Sequence, residues 1–247
     1  MGNVPDVIGE HVPHLQKTHP KYWAALSEAC GVVDPPFGLA WYGDLFRTYA
    51  LDLSWLASLL VLNAQKEADG ARQLWAFAGR IGDEHCRERV RLHAVDESHH
   101  ADFYISILGL VFPQSCTPTQ LQEYRLISPG YKTADQIAVG APSHEKAVMD
   151  EIIQMNIGEI RTLINQLLMK PVLSVLCPED NRGRYLKLTG SLCADEASHI
   201  AYTADIIESF DDADFVTSML TRRLKDFSEI TLKEVGVIGI DTVPIFD

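Results

Sequence analysis

The sequence predicts an all-α protein: four long helices in two pairs, joined by one long crossover, with further helices before and after. Three observations predict it. Apolar residues recur at helical spacing through four stretches of about thirty residues each. The connections inside each pair are brief, whereas the middle connection is long and rich in proline and glycine. Almost no alternating apolar–polar run competes as a strand.

In chain order, residues 1–19 read as an irregular lead, and short helices are expected at about 20–30 and 37–48, separated by the breaker "GVVDPPFG". The first long helix covers about 50–79, "ALDLSWLASLLVLNAQKEADGARQLWAFAG". After the turn "GRIGD", Asp83 is placed to cap a second helix over about 83–111, an antiparallel neighbour of the first. Residues 112–142 contain Pro113, Pro118, Pro129, Gly130, Gly140 and Pro142 and read as a crossing segment, with one short helix near 118–125. The third long helix starts at Ser143, its expected cap, and runs to about 170, where Pro171 should bend the chain. The fourth covers about 181–209. An amphipathic helix over about 212–233 and the apolar tail "VGVIGIDTVPIF" follow. Residues 1–247 read as one domain, with the lead at 1–49, the bundle core at about 50–209 and the C-terminal helix and tail at 210–247.

The chain of 247 residues is long enough for a substantial core. A net charge of −13, from 34 acids against 21 Lys and Arg, argues against a nucleic-acid partner. The five cysteines are scattered without C-x-x-C spacing, so neither a disulfide framework nor a zinc ribbon is expected, and the reading is cytoplasmic. No basic n-region opens the sequence and no apolar run is long enough for a membrane span.

The chemistry is concentrated in a repeat. "DESHH" at 96–100 and "DEASH" at 195–199 both read D-E-x-x-H, and they fall on the second and fourth long helices. Residues three apart share a helix face, so Glu97 with His100, and Glu196 with His199, each aim a carboxylate and an imidazole the same way. Those faces are apolar: Val90, Ala94, Ala101, Ile105 and Leu108 around Glu97; Leu188, Leu192, Ile200, Ala204 and Ile207 around Glu196. A carboxylate placed there needs a compensating charge or loses several kcal/mol on desolvation.

The other two long helices supply one inward acid each. Glu67 lies in the stripe Leu56, Leu60, Asn63, Ala71, Leu74, Ala78, and Glu159 in the stripe Ile152, Met155, Leu163, Leu167. With the first turn near residue 81, Glu67 is about 14 residues before it and Glu97 about 16 after, a mismatch of roughly 3 Å. With the second near 178, Glu159 is about 19 before and Glu196 about 18 after. All four carboxylates can meet at one level. The competing reading is a bundle whose buried Glu and His residues only hydrogen-bond one another.

One Glu from each of two helices and Glu-x-x-His from each of the other two is a di-iron or di-manganese ligand set. On these six positions and its topology the chain resembles the ferritin-like di-iron carboxylate superfamily over about residues 50–209. The resemblance implies a ferritin-like four-helix bundle and two iron ions, with Mn2 or Fe/Mn as alternatives, held by Glu67, Glu97, His100, Glu159, Glu196 and His199. It further implies that Asp195 orients His100 and that Asp96 orients His199. His93, one turn before Glu97, resembles the added histidine of p-aminobenzoate N-oxygenases. In those enzymes it precedes the last ExxH, where this chain has Leu192, so His93 reads as a seventh ligand, an active-site acid–base group or a core histidine. Tyr104, at a spacing found in the small subunit of class I ribonucleotide reductase, reads as a redox-active or a packing residue. Trp75, Tyr185 and Tyr202 are candidates for lining a pocket or passing electrons.

The resemblance implies an enzyme that uses O2 to oxidise a small organic substrate, by hydroxylation, N-oxygenation or oxidative cleavage. The alternative is a ferroxidase or peroxide-handling protein of the ferritin and rubrerythrin kind, against which the missing CxxC knuckle and the additional walls outside the bundle argue. No G-x-G-x-x-G fingerprint occurs, so electrons would come from an external donor or the substrate. A homodimer is compatible with this reading.

Overall fold

The computed structural model describes residues 3–238, and every regular element among them is helical. The ten α-helices are α1 (Val4–His11), α2 (Leu15–Thr18), α3 (Pro20–Val33), α4 (Ala40–Tyr49), α5 (Leu53–Ala78), α6 (Glu84–Val111), α7 (Pro118–Arg125), α8 (Glu145–Leu176), α9 (Glu179–Glu208) and α10 (Ala213–Ile238). A single 3-10 turn, Pro36–Gly38, precedes α4. The residues sort into two compact units, one formed by the chain up to Leu51, Glu145–Leu168 and the chain from Cys193, the other by Asp52–His144 and Met169–Leu192.

In the second unit α5 and α6 pack along their lengths. Asp52 caps α5 by accepting from the Ser54 and Trp55 N–H groups, and Asp83 caps α6, as the sequence predicts, by accepting from the Cys86 N–H at 2.7 Å. The crossing segment is pinned to this hairpin along its length. Arg72 donates to the Ile127 carbonyl (2.7 Å), and Arg91 to the carbonyls of Thr133 and Asp135 (3.0 and 3.1 Å). Ser98 Oγ accepts from the Tyr131 N–H (3.0 Å), whose ring stacks on Trp75 with centroids 4.3 Å apart. At the α5–α6 turn, the Gly140 N–H donates to the Gly79 carbonyl (2.9 Å) and the Ser143 N–H to that of Arg80 (2.8 Å).

Gly79 is required by that closure. A Cβ at this position would collide with the backbone carbonyl oxygen of Ala138, which no side-chain rotation can relieve. Gly79→Ala is expected to cost about 1–3 kcal/mol, read as a lowered midpoint in urea unfolding. An unchanged midpoint would mean that the crossing segment yields without loss.

In the first unit α3 packs on α10. Buried Asn156 ties three helices together: its Oδ1 accepts from the Tyr22 hydroxyl (2.8 Å), and its Nδ2 donates to Thr203 Oγ1 (2.9 Å) and the Ile200 carbonyl (3.3 Å). Arg223 of α10 binds Asp150 of α8 through two hydrogen bonds of 2.7 and 2.9 Å.

The structure departs from the sequence reading in three places. The lead is helical, because Asn3 accepts from the Asp6 N–H to cap α1 and Pro5 sits in the first turn, where its missing N–H costs nothing. The cap position of α8 falls on His144, one residue later than Ser143. Pro171 does not end α8, which continues to Leu176; Met169 and Leu173 on either side of it are buried, and packing outweighs propensity there. The tail beyond Ile238 lies outside the described residues. No single helix among them is long and apolar enough to cross a membrane.

Candidate metal centre

The long helices α5 and α6 build the first group. Val90, His93, Ala94, Glu97, Ala101, Tyr104, Ile105 and Leu108 are all buried, the face the sequence predicts, and Glu67 of α5 is buried with them. His93 Nε2 and His100 Nδ1 lie 3.3 and 3.4 Å from the same oxygen, Oε1 of Glu97. The i+3 imidazole thus presents its near nitrogen and the i−4 imidazole its far one. Glu67, Glu97 and His100 each place a ligand atom within 4.8 Å of the others.

Burial alone would raise the Glu97 carboxyl, but the Glu67, His100 and His93 side chains beside it outweigh burial and hold the group well below the usual carboxylate range.

Helices α8 and α9 build the second group. Glu196 is fully buried and His199 nearly so, while Glu159 keeps 13% of its side chain exposed. His199 Nδ1 stands 3.7 Å from Glu159 Oε2 and 3.8 Å from Glu196 Oε2. Both ExxH copies therefore turn Nδ1 towards their acids. The other oxygen of Glu196 accepts a 2.8 Å hydrogen bond from the buried Gln166 amide.

These donors fit a divalent metal. Charge-assisted N–H···O bonds run about 2.7–2.9 Å. Two ligand atoms each about 2.1 Å from one ion, at octahedral to tetrahedral angles, stand about 3.0–3.4 Å apart, close to the spacings around Glu97. Carboxylate and imidazole donors suit iron and manganese, and the structure holds two buried His/Glu clusters able to bind such ions. Anaerobic titration with Fe(II) should show uptake that weakens as pH falls, because carboxylate and imidazole ligands must be deprotonated to bind. Uptake independent of pH would contradict ligation by these groups.

Tyr104 is buried one turn beyond His100, and Asp96 and Asp195 are half-buried on α6 and α9. The Tyr185 hydroxyl donates to the Lys170 carbonyl (2.6 Å), and Tyr202 meets the His199 ring edge-on at 6.2 Å. His85 and His99 are exposed. Sequence reasoning missed Gln166, because one Gln in an apolar helix also reads as a polar edge; its spacing of seven from Glu159, two helical turns, was the available signal. Compared with family models, curated proteins and solved structures, the chain matches none.

Proposed function

We propose that the chain is a dinuclear non-haem iron enzyme that uses O2 to oxidise a small organic substrate. The observation that carries the reading is the convergence of two imidazole nitrogens on one buried carboxylate oxygen, with a second acid in reach and a further Glu/Glu/His group on α8 and α9. The assembly of the two groups into one ferritin-like four-helix centre rests on the sequence register, which puts all four acids at one depth.

In this reading Glu67, Glu97, His100, Glu159, Glu196 and His199 hold the ions, and Asp96 and Asp195 orient the two ExxH imidazoles. When bound there, two ferrous ions would supply electrons and open positions for O2. Hydroxylation or N-oxygenation would put one oxygen atom into the substrate; the other would leave as water, with two electrons from two equivalents of an external one-electron donor such as a ferredoxin and two protons from solvent. The apolar faces around the acids exclude bulk water, and Tyr104, buried one turn beyond His100, is a redox-active or a packing residue in this reading. Five free thiols agree with a reducing cytoplasm.

The test is anaerobic loading with Fe(II), followed by O2 in the presence of a panel of aryl amines and carboxylic acids. Oxygen uptake coupled to an oxidised organic product supports the proposal. Steady accumulation of ferric mineral, with no organic product, would favour a ferroxidase.

A further inference from the structure

Gly70 sits inside α5, one turn beyond Glu67, where glycine weakens a helix relative to alanine. Neither backbone nor packing requires it. The only glycine with positive φ among the described residues is Gly130. Outside the nearby backbone of α5, a Cβ at position 70 would meet one heavy atom of the described residues within 4 Å: Oε2 of Glu97, at an ordinary contact distance of 3.6 Å. Gly109 of α6 is the contrast, because a Cβ there would press on the Leu121 side chain at 3.1 Å and packing accounts for it.

The missing side chain leaves a gap on a rim. Lys66, Asp69 and Gln73 around it are exposed, whereas Glu67, Ala71 and Leu74 are buried. Gly70, itself half-buried, therefore lies on the line where the surface of α5 passes from solvent to core. The donors of this unit are graded in the same direction. Glu97 keeps 7% of its side chain exposed and Glu67 is 8% exposed, while the side chains of His93 and His100 have no exposure.

From this gap beside a graded set of donors, and resting on the metal reading above, we propose that Gly70 is the portal by which a divalent cation enters the group built on α5 and α6. The carboxylates, whose charge attracts the ion, stand nearest the rim, and the imidazoles stand behind them. A portal acts on rates. A side chain at position 70 raises the barrier to entry and exit alike, so both slow by one factor and the dissociation constant is unchanged. Loss of a ligand or of a positioning residue changes that constant instead.

The test is stopped-flow mixing of the full-length apoprotein with Co(II), followed by quenching of tryptophan fluorescence; Trp75 lies two turns beyond Glu67 on α5. Release is measured by transfer to excess EDTA. Gly70→Leu should slow uptake and release about tenfold each at an unchanged dissociation constant; Gly70→Met serves if that variant does not fold. Gly70→Ala should slow both about twofold while raising the thermal midpoint of the apoprotein by about 2–4 °C, because alanine strengthens the helix as it narrows the gap. The control is Gly183→Ala on α9, where a Cβ would meet nothing within 4 Å among the described residues. It should raise the midpoint likewise and leave both rates as they are. Unchanged rates in the Gly70 variants would overturn the portal and leave the metal reading standing. Equal slowing by Gly183→Ala would also overturn it, by assigning the effect to helix stiffening. No Co(II) bound by the wild type would remove the metal reading and the portal with it.

Discussion

Glu97→Gln will leave the chain folded and lower its affinity for divalent metal by at least about a hundredfold. The amide keeps the size of the carboxyl group and can still pair with Glu67, so the α5–α6 packing has no reason to change. What is lost is the anionic oxygen on which His93 and His100 converge at 3.3 and 3.4 Å. Removing a group that only orients a ligand typically costs 10–100-fold in metal affinity, so removing the shared ligand itself should exceed that. Stability gives a second readout. Metal at a thousand times its dissociation constant stabilises a folded protein by about 4 kcal/mol, and the variant should forfeit most of that rise at the same metal concentration. Metal titration followed by melting with and without Fe(II) checks both. A variant that binds and is stabilised like the wild type would remove Glu97 from the centre.

Asn156→Leu should produce the largest loss of stability, with no metal involved. The side chain joins α3, α8 and α9 through Tyr22, Thr203 and the Ile200 carbonyl, in a part of the first unit without access to water. Leucine offers none of these hydrogen bonds and strands the Tyr22 hydroxyl, whose burial already pushes its pKa far above the usual tyrosine range. Stranded buried polar groups cost about 1–3 kcal/mol each, so a total near 3 kcal/mol is expected. For a chain of this size that lowers the thermal midpoint by about 6–12 °C. Adding Tyr22→Phe should recover part of the loss, because the hydroxyl is then no longer stranded. Independent, additive effects of the two changes would contradict the coupling.

Much of the helix pattern was legible because long amphipathic segments with short turns leave few alternatives. Asp83 announced the start of α6 through its side chain, and Gly130, Gly140 and the prolines marked the crossing segment. The lead was illegible for a local reason: α1 is eight residues long, and Gly9 and Pro13 hide a helix that its Asn3 cap and packing maintain. Pro171 misled in the opposite direction, since the cost of a missing N–H is visible in sequence and the burial of Met169 and Leu173 is not.

The candidate ligands were legible because an acid on an apolar face is conspicuous. Glu67, Glu97, His93 and His100 converge in one unit, and Glu159, Glu196 and His199 in the other. Gln166 was not legible in the same way. A neutral amide carries no charge that demands a partner, and only the 2.8 Å contact with Glu196 reveals its use.

The most direct test of the central claim is Mössbauer spectroscopy of the protein reconstituted with ⁵⁷Fe(II) and then oxidised. The proposed dinuclear centre predicts two ferric ions per chain, coupled through a shared ligand to a diamagnetic ground state and silent in electron paramagnetic resonance. A single iron per chain, or two ferric ions with the magnetic signatures of isolated high-spin centres, would contradict it.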